Sequence, residues 1–368
     1  MNALAFRDWF HQKINSNSGG ADNTEDIPNL DFLRACAVLL VLCHHLLLFF
    51  QANTNSGPLK LYYIGQWGVL IFFVHTSLVL SLSLERQARR APGQGLFWPF
   101  LVRRVFRILP LSILIVCVVE CFGLPVGHIR DGHFVATHLK LPGLLSNIFL
   151  VQNITRQDQA TAPLWSLPYE MQMYLLLPAL FLLVRSARPV LPMTCLWLVG
   201  FVALLHEAGF SRHGMPDQLC YVPYFMPGIM AYKFMAVSKI RLPSILWPVV
   251  LAGITAFCLH NPSDRRGAIC CLLLGVAIPH FAQISQPIVA KISQQIARYS
   301  YGIYLTHLIC IWLSFQVLHG LPRSGQWVVL LLSVSMIPYL LYHLVEAPMI
   351  RYGRSVALRL NKCPNSQL

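Results

Sequence analysis

The sequence predicts an all-α integral membrane protein: a bundle of about ten transmembrane helices with both termini in the cytoplasm. Of the 368 residues, 56% are hydrophobic and 11% are charged, whereas about a quarter of a soluble domain is charged. Apolar runs of about twenty residues, enough to cross a hydrocarbon core of about 30 Å, recur between residues 31 and 346. A third observation, the placement of Lys and Arg, predicts the orientation.

Ten apolar segments have the length of a membrane-spanning helix. They lie at 32–51, 65–84, 105–123, 163–184, 190–209, 219–236, 243–260, 267–284, 298–318 and 325–346. One alternating set of loops, which includes 85–107 and the segment after 346, holds roughly twice as many Lys and Arg as the other set. That set is predicted to be cytoplasmic, and an even number of spans then places both termini there.

The spans divide the chain into a cytoplasmic tail (1–30), a membrane domain (31–350) and a second cytoplasmic tail (351–368). The first tail has no apolar core followed by a small-residue cleavage site, so we expect the first span to direct insertion. Residues 4–14 form either a helix on the membrane surface or a soluble tail. Within the external segment 124–162, the apolar stretch 141–151 is too short to span and is expected to be a re-entrant or interfacial helix.

Composition argues against several other classes. The eleven cysteines fall mostly in apolar spans without a Cys-x-x-Cys pair, so we interpret them as small core residues. The net charge of +14 is explained by topology, and no nucleic-acid partner is expected. His128, His133 and His138 in the external segment are interpreted as loop residues because they match no metal-ligand spacing. No metal site is predicted.

The first span contains RACAVLLVLCHH (34–45). Positions eleven apart on a helix are separated by about three turns and about 20° in azimuth, so Arg34 and His45 share a face while His44 lies about 80° away. Ionisable groups inside a span are costly, which makes them functional candidates. For Arg34 alone, a side chain that extends to the inner headgroups is an equally good explanation.

A second candidate group begins the fourth span, PLWSLPYEMQMYLLLP (163–178), where Glu170 and Tyr174 are helix neighbours four residues apart. A carboxylate at this depth needs a partner. We expect that partner to be His45, because a carboxylate can orient an imidazole and raise its basicity. A purely structural pair with another helix is the alternative.

A third group is FLVRRVFRILP (100–110), in which Arg104 and Arg107 share a face at the predicted cytoplasmic boundary. Guanidinium groups bind phosphate bidentately, although basic residues at this boundary also bind anionic lipid without any substrate. His75 and His307 lie near the middle of the second and ninth spans. Each is a weak signal by itself, but several histidines and a glutamate in one bundle favour a functional site.

Six motifs, in order, resemble those of the acyltransferase 3 family over residues 29–351. They are Leu33-Arg34-Ala35 with His45, GVLIFFV (68–74), RRVFRILP (103–110), WSLPYEMQMYL (165–175), SYGIYLTH (300–307) and Glu346-Ala347-Pro348. The sequence departs from the family at Leu70, where aspartate is usual, and at Thr76-Ser77-Leu78, where serine-glycine-phenylalanine is usual. No hydrolase-like domain is expected to be appended.

The resemblance implies a multi-pass protein of the bacterial inner membrane that transfers an acyl group, most simply acetyl from acetyl-CoA, to a sugar hydroxyl of a cell-surface or exported glycan. The implied partners are an acyl-CoA donor, a glycan or lipid-linked saccharide acceptor and membrane lipids, with no tightly bound cofactor. A secondary transporter or flippase with a proton relay is the rival, although the sequence shows no internal repeat. A scaffold or lipid-binding protein is a third alternative.

The resemblance also implies residue roles. His45 would be the general base, with an acyl-histidine intermediate left open, and Glu170 would orient it. Arg34 would assist the donor or stabilise the oxyanion, and Arg104 with Arg107 would hold the CoA phosphates. The supporting candidates are Tyr174, Trp165, His307 and His75.

Overall fold

A computed structural model describes residues 27–54, 57–90, 95–186, 189–207, 217–238 and 240–362. Its α-helices are α1 (Pro28–Phe49), α2 (Ile64–Arg90), α3 (Phe97–Cys121), α4 (Leu141–Ile148), α5 (Gln152–Thr155), α6 (Leu167–Arg185), α7 (Val190–Glu207), α8 (Asp217–Val237), α9 (Leu246–His260), α10 (Asp264–Ala277), α11 (Pro287–Ile311), α12 (Arg323–Leu341) and α13 (Ala347–Lys362). Short 3₁₀ helices lie at Leu61–Tyr63, Ala162–Ser166 and Ile278–His280, and π-helical turns at Trp312–Val317 and Tyr342–Glu346. Residues 4–14, the predicted surface helix or tail, lie outside the described residues.

Each of the ten apolar segments predicted from the sequence overlaps a helix. Within the described part of the chain, four helical stretches are long and apolar enough to cross a membrane: Pro28–Phe49, Leu61–Arg90, Ala162–Arg185 and Arg323–Leu360. The other helices are shorter or more polar; α3, for example, includes Arg103, Arg104, Arg107 and Glu120. A helical membrane fold therefore fits the chain, while the count of ten spans and the side of each terminus stay predictions.

The chain forms two compact units. The first comprises the described residues within Met1–Ala37, Gly57–Gln94 and Leu176–Ala297, and the second those within Val38–Ser56, Gly95–Leu175 and Arg298–Leu368. In the first unit α2 packs against α8. A Cβ on Gly228 of α8 would lie 2.1 Å from both Ser77 Oγ and the Val74 carbonyl oxygen. Glycine permits this approach, and Ser77 then donates a hydrogen bond to the Phe225 carbonyl at 2.7 Å.

In the second unit α3 packs against α13. Gly353 of α13 faces Phe106, because a Cβ there would lie 2.5 Å from the Phe106 Cβ, and the Phe106 and Tyr352 rings meet at 5.3 Å. The predicted C-terminal tail therefore includes an ordered helix up to Lys362. A π-helical turn precedes it at Tyr342–Glu346, where Pro348 has no N–H for the carbonyl four residues earlier.

The segment 124–162, which the sequence predicts to be external, contains a small β-hairpin that was not predicted. Strands β1 (His128–Arg130) and β2 (His133–Val135) pair antiparallel. Asp131 and Gly132 form the two-residue turn with φ angles of 50° and 75°, the positive values that a type I′ turn requires and that Asp-Gly supplies at low cost. The interpretation of His128 and His133 as loop residues is therefore wrong. The apolar stretch at 141–151 is helical at Leu141–Ile148, as expected.

Candidate active site

Two histidines that the sequence placed in separate spans meet within the second unit. Nδ1 of His45 on α1 lies 3.1 Å from Nε2 of His307 on α11, and the ring centroids are 4.7 Å apart. His307 is 1% exposed. His45 is half-buried. A pair of imidazoles held this closely is suited to proton transfer.

The neighbouring carbonyls determine which nitrogens carry protons. Nδ1 of His45 lies 3.0 Å from the Val41 oxygen, and Nδ1 of His307 lies 3.1 Å from the Ile303 oxygen. A carbonyl only accepts, so both neutral rings are assigned a proton on Nδ1. His307 Nε2 then accepts from the shared Nδ1–H of His45, and His45 keeps the lone pair on its Nε2. That Nε2 is the atom able to act as a base or nucleophile.

Glu170 has a different partner from the one that the sequence predicted. Its carboxylate accepts a hydrogen bond from the Tyr174 hydroxyl one helical turn later on α6. The hydrogen bonds of the His45 ring go instead to Val41 and His307. His307, rather than Glu170, is therefore the side chain within hydrogen-bond distance of the His45 ring.

The arginine pair on α3 belongs to a cluster of charges in the same unit. Arg107 Nη2 lies 3.8 Å from Glu346 Oε1, and the two side chains are 26% and 1% exposed. The charges of Arg104 and Arg107 also act on the Tyr174 hydroxyl, which joins Glu170 to the cluster. Sequence reasoning placed the arginines on one helix face, but it did not find the buried carboxylate that Arg107 meets.

One face of α11 carries the polar groups that lie between this cluster and the histidines. Tyr301 donates to the Ile108 carbonyl at 2.8 Å and interacts electrostatically with Glu346, Glu170 and Arg107. Three residues later, the Tyr304 hydroxyl lies 2.8 Å from Ser166 Oγ and donates to the Pro163 carbonyl at 2.8 Å. His307 follows after three more residues, so α11 presents hydroxyl, hydroxyl and imidazole in succession.

Sequence reasoning missed Tyr301, Tyr304 and Ser166 as members of the site. The signal was present, because the two tyrosines and His307 recur every three residues in SYGIYLTH, and such residues are near neighbours on a helix. Trp165 contacts Tyr169, with ring centroids 6.4 Å apart, while Ser166 beside it makes the contact with α11.

Two predicted residues belong to the first unit. Arg34 is half-buried on α1, the helix that also carries His45. His75 is 4% exposed on α2, so the second unit does not include it. Among the described residues, no group of three or more His, Cys, Asp or Glu side chains is arranged to hold a metal ion.

Comparison with known proteins identifies the family. The family model of the acyltransferase domain matches residues 27–343. The chain belongs to the acyltransferase 3 family. The matched range includes His45, His307, Arg104, Arg107 and Glu170, whereas Glu346 lies just beyond it.

Members of this family from three bacteria are similar to the chain. YrhL of Bacillus subtilis is 28% identical over 91% of this chain and 56% of its own length. The peptidoglycan O-acetyltransferase OatA of Listeria monocytogenes is 27% identical over 89% of this chain and 56% of its own. The O-acetyltransferase OatA of Staphylococcus aureus is 30% identical over 68% and 38%. The chain thus spans about half the length of the first two relatives, and no solved structure matches it.

Proposed function

We propose that the protein is a membrane O-acyltransferase that moves an acetyl group from acetyl-CoA to a sugar hydroxyl of a glycan. The similarity to peptidoglycan O-acetyltransferases supports peptidoglycan as the acceptor and a multi-pass location in the bacterial inner membrane. The observation that carries the proposal is the hydrogen bond between His45 and His307, because it leaves the His45 Nε2 lone pair for the acceptor.

In this mechanism His45 Nε2 removes the proton of the acceptor hydroxyl, and the hydroxyl oxygen attacks the carbonyl carbon of the thioester. The new C–O bond forms, the C–S bond breaks, and the Nε2 proton passes to the departing CoA sulfur. The imidazolium that forms in between donates its Nδ1–H to the buried His307 Nε2, which disperses the charge over the two rings. His307 is thus the positioning residue and His45 the catalytic base.

The charged residues have separate tasks in this proposal. Arg104 binds a CoA phosphate, and Arg107 contributes to the same cation cluster while Glu346 holds its guanidinium in place. Glu170 and Tyr174 favour this arrangement of the arginines electrostatically, because the charges of both arginines act on the Tyr174 hydroxyl that Glu170 binds. Arg34 assists the donor thioester or the oxyanion.

A transfer assay tests the function. The full-length protein, purified in detergent, is incubated with acetyl-CoA labelled in the acetyl group and with peptidoglycan fragments, and label in the glycan is measured. We expect wild-type protein to transfer label and His45→Ala to lose transfer by about 10²–10⁴-fold, the contribution of a general base.

His280→Ala is the matched control. His280 makes the same type of bond, from Nδ1 to the Val276 carbonyl four residues earlier at 2.7 Å, but it lies in the first unit. This variant should transfer at the wild-type rate. Equal transfer by wild type and His45→Ala would exclude His45 as the base, and movement of a saccharide across vesicles without acetylation would favour the transporter instead.

A further inference from the structure

A cavity of about 580 Å³ in the second unit lies at the end of α1. The residues that line it are Phe49, Phe50, Gln51, Phe315, His319, Leu321, Arg323 and Gln326. Its volume falls within the range of small-molecule sites, about 300–1,000 Å³. Aromatic rings alternate with hydrogen-bonding groups around it, a combination that suits a ligand with both apolar faces and hydroxyl edges.

The aromatic side chains form one continuous cluster. Phe50 and Phe315 meet at 4.9 Å between centroids, and Trp327 lies 5.7 Å from Phe50 and 5.1 Å from Phe315. Phe50 is 36% exposed and Trp327 is 39% exposed. Of these two rings Phe50 lines the cavity, with the Arg323 guanidinium 5.3 Å from its ring centroid. The exposed part of the Phe50 ring can meet a flat ligand, and the C–H face of a pyranose ring is such a surface.

The polar groups of the cavity supply both donors and acceptors. Arg323 uses Nη1 to bond Gln326 Oε1 at 3.0 Å, and its guanidinium has further N–H groups to offer. His319 Nδ1 lies 3.1 Å from the Gln316 carbonyl, which assigns the Nδ1 proton and leaves Nε2 as an acceptor. Sugar hydroxyls, which both donate and accept, match this set.

Gln51 occupies a backbone position that glycine would fill at lower cost. Its φ of 49° is left-handed, and the bonds from Gln51 N to Leu48 O and from Ala52 N to Leu47 O are those of a Schellman motif, which usually has glycine at this site. A side chain here costs about 1 kcal/mol. Gln51 uses it to donate to the Asp131 carbonyl at 2.7 Å and to line the cavity, where its Oε1 is an acceptor.

The cavity is close to the proposed base along α1. Phe49 follows His45 by four residues, one helical turn or about 6 Å of rise. Phe134 of the hairpin covers Phe49 at 5.5 Å between centroids, and Gln316 accepts from the Phe134 N–H at 3.3 Å. Phe134 of the hairpin, Phe49 at the end of α1 and Gln316 thus lie together, with Phe49 one helical turn beyond His45.

We infer that this cavity is the acceptor subsite: it binds an N-acetylhexosamine ring of the glycan against Phe50, next to Trp327, and directs a hydroxyl toward His45. The inference rests on the proposed function for the role of the sugar. Binding itself can be measured without transfer.

The test titrates full-length protein in detergent with a tetrasaccharide of N-acetylglucosamine and follows tryptophan fluorescence. We expect a saturable change in wild type that disappears in Trp327→Phe, which locates the signal. Phe50→Ala should raise Kd by at least about tenfold, as expected for a stacking residue at the centre of a site.

Gln51→Gly and Phe122→Ala are the informative comparisons. Gln51→Gly relieves the backbone strain but also loses the hydrogen bond to the Asp131 carbonyl, and these two effects are of similar size. Its melting temperature should therefore stay close to that of wild type while Kd rises several-fold. Phe122 is a 75% exposed phenylalanine at the end of α3, and Phe122→Ala should leave Kd unchanged.

The outcomes separate the two proposals. Absence of saturable binding by wild type, a signal that survives Trp327→Phe, or an unchanged Kd in both Phe50→Ala and Gln51→Gly would overturn the subsite. Sugar binding without any label transfer would support the subsite and contradict the proposed function. Label transfer with an acceptor KM that is unchanged in Phe50→Ala would support the proposed function and contradict the subsite.

Discussion

His45 Nδ1 and His307 Nε2 lie 3.1 Å apart although 262 residues separate them in the chain. Each ring is also held by a carbonyl one turn earlier in its own helix. Because those carbonyls assign both Nδ1 protons, the direction of the bond between the rings is determined: His45 donates and His307 accepts. The pair resembles a base with its orienting group, with a neutral imidazole in the second position.

Replacement of the orienting ring should lower turnover more than it lowers affinity. For His307→Phe we expect kcat for label transfer to fall about 10- to 100-fold with little change in the acceptor KM, because the bond to His45 is lost while the substrate sites stay intact. His307→Gln can still offer an oxygen acceptor and should recover part of the loss. A packing defect would instead affect both variants alike and would alter KM and the melting temperature.

The ion pair between Arg107 and Glu346 should contribute to stability in an asymmetric way. Arg107→Gln leaves the 1% exposed Glu346 without this countercharge and should lower the free energy of unfolding by about 2–3 kcal/mol. This is below the 3–5 kcal/mol typical of fully buried pairs, because Arg107 is 26% exposed. Glu346→Gln should lower the free energy of unfolding by less than Arg107→Gln does, because the remaining Arg107 side chain is partly exposed.

The double variant Arg107→Gln/Glu346→Gln measures the coupling between these two residues. It should be more stable than the sum of the single effects predicts, and denaturant unfolding in detergent gives the coupling free energy. Additive effects of the two substitutions would mean that the 3.8 Å contact carries no net interaction.

Arg104 should act on the donor. In Arg104→Gln we expect KM for acetyl-CoA to rise about tenfold, the loss of one charge-assisted hydrogen bond, while the acceptor KM stays constant. Arg104→Lys should show a smaller rise in KM for acetyl-CoA than Arg104→Gln, because lysine keeps the charge, but the rise should remain measurable because lysine lacks the planar fork of the guanidinium. Arg351→Gln, at an exposed arginine of α13, serves as the control and should leave both constants unchanged.

Gly228 should be intolerant of any side chain. Gly228→Ala places a Cβ 2.1 Å from Ser77 Oγ and the Val74 carbonyl, so α2 and α8 must separate. We expect a loss of at least about 3 kcal/mol in the free energy of unfolding. Gly253→Ala is the matched helical control, with nothing within 4 Å of the added Cβ. It should be neutral or stabilise by up to about 1 kcal/mol, and equal melting temperatures for the two variants would contradict the close approach.

The sequence predicted most of the helices because the signal for them is local. In an apolar surrounding each backbone N–H and C=O must be satisfied within its own segment, so a run of apolar residues of sufficient length already specifies a helix. The hairpin at 128–135 is an instructive miss. Its Asp131-Gly132 turn is also a local signal, because Asp-Gly between two short extended segments is typical of a type I′ turn.

The candidate residues were found by the same local reasoning, and their partners were not. A charged or imidazole group inside an apolar span can be recognised from the sequence alone. This identified His45, His307, Glu170, Arg104 and Arg107 as candidates. Helical spacing also anticipated that Glu170 and Tyr174 are neighbours. Helical spacing could not show that Glu170 belongs to the arginine cluster, or that His45 contacts His307.

The sequence alone thus determined the membrane class, the helix positions and the costly polar groups, because each depends on residues within a turn or two of one another. Only the tertiary structure decided which of those groups meet. His45 with His307, Arg107 with Glu346 and Phe50 with Trp327 are pairs from distant segments. Such contacts depend on how helices rotate and pack against one another, and that arrangement is a property of the whole bundle rather than of any one helix.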